Sequence, residues 1–210
     1  TMVSLLRHGT KTVMAMQNNY QGPPNDFAMV VPVPVVLKKK QVKTIDKGVF
    51  GRIDRYSAPR LVEYWEQNPC PSRRGTYNFS STAIAESADG ADKRIVRKKR
   101  EKVVRVEAEF KVGEYDIVVL SSDESTALES WLHDNDYSIP KGSARYLRPY
   151  IQQGMYFFVA KVDVDRVRFD DGQAVLSPLR FHYDSQQFKL PVRLGLINSK
   201  GSQDLIVFTL

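Results

Sequence analysis

The chain has 210 residues, 42% of them apolar, and 31 basic against 24 acidic side chains leave a net charge of +7. This composition excludes wholesale disorder, and no window approaches the ~18 continuous apolar residues of a spanning helix. The single cysteine excludes an internal disulfide framework and any multi-cysteine metal site.

Residues 1–9 carry Arg7 and His8 and no long apolar core, so they do not read as a secretory signal. The apolar start at 3–6 and the strand-like end at 205–210 read as cut from a longer chain. Residues 3–6, 8–11 and 12–17 read as strand, turn and strand. Thr12, Met14 and Met16 alternate with Val13, Ala15 and Gln17, and Gly9 supplies the turn. A polar loop follows to Asp26. The run 27–33 is apolar but contains Pro32, with Pro34 just beyond it. Two lost ladder donors this close together place the run at a sheet edge or take it out of the sheet at Pro32. Lys38, Lys39 and Lys40 then read as charges that discourage further strand pairing.

Two short helices come next. Asp46 caps the first, with Val49, Ile53 and Tyr56 on it. Ser57 caps the second, with Pro59 in its first turn and an apolar face of Leu61, Tyr64 and Trp65. Residues 68–102 keep neither helical nor strand period. They are rich in Ser, Ala, Gly and Asp before turning basic, and they read as a long excursion or linker.

Val104, Val106, Ala108, Phe110 and Val112 alternate through 103–112 and are expected to share one face. Gly113 and Glu114 turn the chain into the more continuously apolar 115–120. Ser121 and Glu124 have the spacing of a capping box, opening a helix with Leu128, Trp131 and Leu132 that ends near Asn135. A second helix over 143–153 places Leu147, Tyr150 and Ile151 on one side, with Pro149 predicting a kink or a late start. Gly154 suits its exit. The strongest strand is 155–164. Strands over 179–183, 188–197 and 207–210 complete the chain, with 198–201 as a hairpin turn.

The order of strands, helix pair, loop, strands, helix pair, strands predicts an α+β fold with a mainly antiparallel sheet and two pairs of short helices. Residues 1–67 and 103–210 are expected to pack as one domain around the 68–102 loop.

No catalytic motif is present: the chain lacks G-x-S-x-G, a P-loop and G-x-G-x-x-G. His8, His133 and His182 are scattered, so no metal site and no cofactor are expected. Asp163, Asp165, Asp170 and Asp171 lack the register of a calcium loop and read as a solvated turn. An enzyme would need acids such as Glu63, Asp116 or Glu124 brought together by the fold.

Three features are candidate surfaces. Lys93, Arg94, Arg97, Lys98, Lys99, Arg100, Lys102 and Arg105 concentrate positive charge. They read either as a solvated loop or as a salt-dependent site for anionic polymers or lipid head groups. No aromatic residue interleaves them, so nucleic acid is not the expected partner. Tyr56, Arg60, Tyr64, Tyr146 and Arg148, with Tyr150, lie on or beside the short helices. They are core, or an interface for another protein. Cys70, between Pro69 and Pro71, is an incidental free thiol or half of a disulfide whose partner lies outside this chain.

The segments YQGPPNDFAMVVPVPVVL at 20–37, YSAPRLVEY at 56–64 and GEYDIVVLSSDES at 113–125 form a recognisable set. WL at 131–132, YSIP at 137–140, YIQQGMYFFVAKV at 150–162 and LPVRLG at 190–195 complete it. In this order the chain resembles the bacterial domain-of-unknown-function family DUF2330, with 68–102 outside the matching blocks. Family members look like exported proteins with cysteines ahead of the point where this chain begins. The resemblance therefore implies an extracytoplasmic location, at the periplasm or cell surface, and makes Cys70 an orphaned half-cystine. It implies no catalytic residues. The expected function is a protein-interaction or structural module of the cell envelope without catalysis, with another envelope protein as partner. Binding of anionic polymers or membranes through 93–105, and an enzyme of unknown class, are the alternatives.

Overall fold

The computed structural model describes residues 1–18, 28–61, 104–170, 173–198 and 204–209. The chain divides into two units, Thr1–Ser57 with Glu101–Leu210, and Ala58–Arg100. Of the second unit only 58–61 are described, as exposed chain without helix. The second helix expected after Ser57, with Tyr64 and Trp65, therefore lies outside the described residues from 62 onward. Ser57 itself ends a helix instead of opening one: its hydroxyl donates to the Asp54 carbonyl at 3.1 Å.

The first unit is α+β. Its strands are β1 (Met2–His8), β2 (Lys11–Gln17), β3 (Ala28–Val33), β4 (Val42–Thr44), β5 (Val104–Val112), β6 (Tyr115–Ser122), β7 (Tyr156–Val162), β8 (Arg168–Asp170), β9 (Gln173–Val175), β10 (Leu179–Asp184) and β11 (Ile206–Thr209). Its helices are α1 (Gly48–Ser57), α2 (Ser125–Asp134) and α3 (Ala144–Gln152). One sheet has the order β11-β1-β2-β10-β4 and the other β3-β7-β6-β5, while β8 and β9 form a separate hairpin. Every pairing is antiparallel except β1 with β11.

Three layers follow from the burial pattern. Val3, Leu5, Met14 and Phe181 of the first sheet share a core with Val31, Ile117, Val119 and Phe158 of the second. Leu120, Phe157 and Val159, on the other face of the second sheet, pack with Leu128, Leu132, Leu147 and Tyr150 of α2 and α3. The second sheet is thus covered on both sides. This explains why β7 reads as an unbroken apolar run: Phe157, Phe158, Val159 and Ala160 are all fully buried, two toward each layer.

Several sequence expectations hold in detail. The β1–β2 turn uses Gly9 at φ +59°, a conformation open to glycine at little steric penalty. Asp46 caps α1 by accepting the Gly48 N–H at 2.8 Å. β3 is an edge strand, and its pairing with β7 runs unbroken through Pro32 to Val33. Such pairing survives a proline where the missing donor faces away from the ladder.

Others are corrected. The five alternating residues of β5 do not share a face. A bulge between Val106 and Ala108 leaves Glu107 as an extra residue, so the face changes there. Val104 packs on the helix-side core, while Ala108, Phe110 and Val112 pack between the sheets. Ser121 is not a helix cap, because β6 extends to Ser122. The Ser121 hydroxyl bonds the Glu107 carboxylate across the strand pair, and the Ser122 hydroxyl accepts the Glu124 N–H at 3.2 Å ahead of α2. Residues 187–192 are not strand and Arg193–Asn198 is a 3-10 turn. β11 pairs with β1 in parallel, and 199–201 of the expected hairpin turn lie outside the described residues. The short β4 and the β8–β9 hairpin, too brief for periodicity to register, escape the sequence reading. The acidic stretch from Asp163 starts as a 3-10 turn, Val164–Arg166, in which the Asp163 carboxylate accepts the Asp165 N–H and pairs with Arg166 at 3.2 Å.

Candidate functional site

An apolar trough of about 370 Å³ runs along the edge of β3. Four consecutive residues, Ala28, Met29, Val30 and Val31, all line it. Side chains of successive strand residues point to opposite faces, so a cavity touched by all four lies beside the strand's edge. Val3 and Met16 come from the first sheet, Leu132 and Leu147 from the helices, and Leu190–Gly195 and Leu205 from the C-terminal part of the chain. All three layers therefore contribute a wall.

Local sequence explains how these walls form. Pro32 ends productive pairing on the outer side of β3. Pro191 denies the 187–192 segment a ladder donor. The segment is tied down at both ends. The Arg7 guanidinium donates to the carbonyl of Ser185 at 2.8 Å, and the Arg193 N–H donates to the Tyr150 hydroxyl at 3.3 Å. Tyr150 is a buried α3 residue. Burial raises its phenol pKa, and the Arg193 N–H and the Arg193 charge partly offset that rise. Elsewhere, burial first and the neighbouring Glu114 carboxylate second raise the pKa of Tyr115 strongly. Its hydroxyl donates to the Ser177 carbonyl at 2.7 Å, and the Ser177 N–H donates to Glu114.

Among the trough's lining residues few are polar. Asn18 donates to the Met29 sulfur at 3.0 Å, and the buried Ser143 hydroxyl donates to the Pro140 carbonyl. Arg193 and Asp204 are the charged side chains of the lining, and both are exposed. Among the described residues no histidine, cysteine or glutamate lines it. The trough can hold an apolar group. Among the described residues it brings together no pair of acids or bases.

None of the described residues singled out from sequence as candidate surfaces lines the trough. Lys93, Arg94, Arg97, Lys98, Lys99, Arg100, Lys102, Tyr64 and Cys70 fall outside the described residues. Arg105 is exposed on β5 beside the bulge. Tyr56 is 78% exposed at the end of α1, and Arg60 is exposed beyond it. Tyr146 is half-buried under the Arg145 guanidinium, 4.7 Å from its ring centroid, and Arg148 is exposed on α3. Among the described residues no three His, Cys, Asp or Glu side chains gather as a metal site. Also among them, no helix is long and apolar enough to cross a membrane. The trough was missed because its walls come from segments far apart in sequence. The sequence signal that touches it is the LPVRLG block at 190–195.

A family model described as an uncharacterized protein conserved in bacteria, DUF2330, matches residues 1–210. No curated protein and no solved structure matches the chain.

Proposed function

The chain belongs to the DUF2330 family, and from that premise we propose that it is a non-catalytic binding module of the bacterial cell envelope that holds an apolar guest along β3. The observation that carries this reading is the trough, which among the described residues is apolar on all three layers and lies beside an edge strand. Its volume falls within the roughly 300–1,000 Å³ of small-molecule sites. Titration with the neutral dye N-phenyl-1-naphthylamine tests it. The expected result is saturable, one-site fluorescence enhancement that Ala28→Trp abolishes by filling the trough, with the melting temperature little changed. Absence of saturable binding, or binding indifferent to Ala28→Trp, would overturn it.

A second reading, interaction with another envelope protein, is favoured by the apolar rim at β1 and β11. Leu6 is 44% exposed and Ile206 48% exposed, and β11 is the last strand of its sheet. Edge strands of this kind are templates for pairing with another chain. A photocrosslinking residue at Ile206 should then give one discrete adduct, recovered from the envelope fraction of the producing bacterium. A smear of adducts, or a protein confined to the cytosol, counts against both the partner and the location.

A further inference from the structure

We propose that the guest of the β3 trough is a single-chain amphiphile with an anionic head, its hydrocarbon tail lying along Ala28–Val31 and its head on the Arg193 guanidinium. This inference rests on the reading of the trough as an apolar-guest site and adds the sign and place of the guest's polar end.

Size and lining set the tail. About 370 Å³, at roughly 30 Å³ per heavy atom (the share one water takes in the liquid), holds on the order of a dozen heavy atoms. Beyond Ala28–Val31, the walls around that volume include Leu132, Ile139, Leu147 and Leu190, which offer dispersion contacts and no hydrogen bonds.

Inventory sets the head. Two polar side chains of the lining are already committed within the fold: the Asn18 amide to the Met29 sulfur, and the Ser143 hydroxyl to the Pro140 carbonyl. Arg193 is different. Its backbone is fixed at the rim by the Tyr150 hydroxyl, while its guanidinium makes no ion pair with any described residue. That bond to an α3 residue sets Arg193 at the α3 side of the trough, with its exposed side chain at the rim. A guanidinium fork in that position suits a carboxylate, sulfonate or phosphate oxygen pair. Asp204 is the opposing charge. It belongs to the β1–β11 end, where its backbone carbonyl accepts from the Thr1 amino group at 3.4 Å, so Arg193 carries the one cationic side chain among the described lining residues and the head is assigned to its end.

Calorimetric titration of the full chain with decanoate, decanol and decyltrimethylammonium separates these contributions. Decanoate, with twelve heavy atoms, is expected to bind at least about tenfold more tightly than decanol, the increment of one charge-assisted hydrogen-bond pair. Arg193→Gln should remove that advantage and leave decanol binding unchanged, while Arg193→Lys should keep part of it. Added salt should weaken decanoate and spare decanol. Equal binding of decanoate and decanol, an advantage that persists in Arg193→Gln, or tightest binding of the ammonium would overturn the inference while leaving an apolar-guest site in place. If none of the three binds, the trough reading falls and the inference falls with it.

Discussion

Replacing Phe158 with alanine will lower the unfolding free energy by about 3–5 kcal/mol, the range for deleting a fully buried aromatic side chain. Phe158 has no exposed surface, and its ring centroid lies 5.4 Å from that of Phe181 on the opposite sheet. The contact bridges the two sheets, so its loss opens a cavity where neither sheet can collapse without moving the other. Phe157, next in the chain and equally buried, faces α2 and α3. The two neighbours therefore make a topological test. Phe158→Ala combined with Phe181→Ala should be non-additive by about 0.5–3 kcal/mol, while Phe157→Ala combined with Phe181→Ala should be additive within ~0.5 kcal/mol. Urea unfolding of the single and double variants reads both quantities. Additivity for the Phe158 pair, or a loss under ~1 kcal/mol for Phe158→Ala, would contradict face-to-face packing of the sheets.

That middle layer also shows what could be read from residues alone. Where a strand is buried on both sides its side chains must all be apolar, and the run at 156–162 announced itself. Prolines carry equally local information, because a missing N–H restricts where a strand can sit whatever surrounds it. This is why Pro32 and Pro34 mark β3 as a strand that sits at an edge or leaves its sheet, and the edge is where it lies. Alternation is more fragile. A single inserted residue, Glu107, reverses the facing of everything beyond it, and no property of glutamate marks it as the one to be extruded. The 187–192 segment failed for a related reason. Phe188, Leu190 and Val192 alternate as a strand would, yet Phe188 packs on the Arg7 guanidinium at 5.6 Å from its ring centroid, and Leu190 lines the trough. Both contacts depend on residues more than 150 positions away. A site assembled from the ends of two sheets, two helices and an irregular segment leaves no motif. The Tyr and Arg inventory drew attention to polar surfaces while the cavity formed from ordinary valines, leucines and methionines.

Replacing Glu129 with alanine will destabilise the fold by about 2–3 kcal/mol and will loosen the trough as well. Ser143 stands at the start of α3 and is the residue type that ordinarily caps a helix, but its hydroxyl is turned to the Pro140 carbonyl and makes no cap. The cap comes instead from α2. One Glu129 carboxylate oxygen accepts the N–H groups of Gly142 at 2.6 Å and Ser143 at 3.0 Å, and the other accepts that of Ala144 at 3.2 Å. A negative charge at a helix N-terminus also complements the helix dipole, and hydrogen bonds to a charged acceptor contribute about 1.5–3 kcal/mol each before water competes for the exposed donors. Because Ser143 and Leu147 of α3 and Leu132 of α2 all line the trough, the same carboxylate that joins the helices sets the spacing of one wall. Glu129→Gln retains an acceptor oxygen without the charge, so it should lose less than half as much stability. Asp134→Ala, on the exposed last turn of α2, should stay within about 0.5 kcal/mol of the parent. Urea midpoints at constant slope measure the stabilities, and N-phenyl-1-naphthylamine affinity, weakened in Glu129→Ala more than in Glu129→Gln, reports the wall. Equal stability of the parent and both Glu129 variants would mean that water caps α3 as well as the carboxylate does, and that the helix pair is held by its apolar contacts alone.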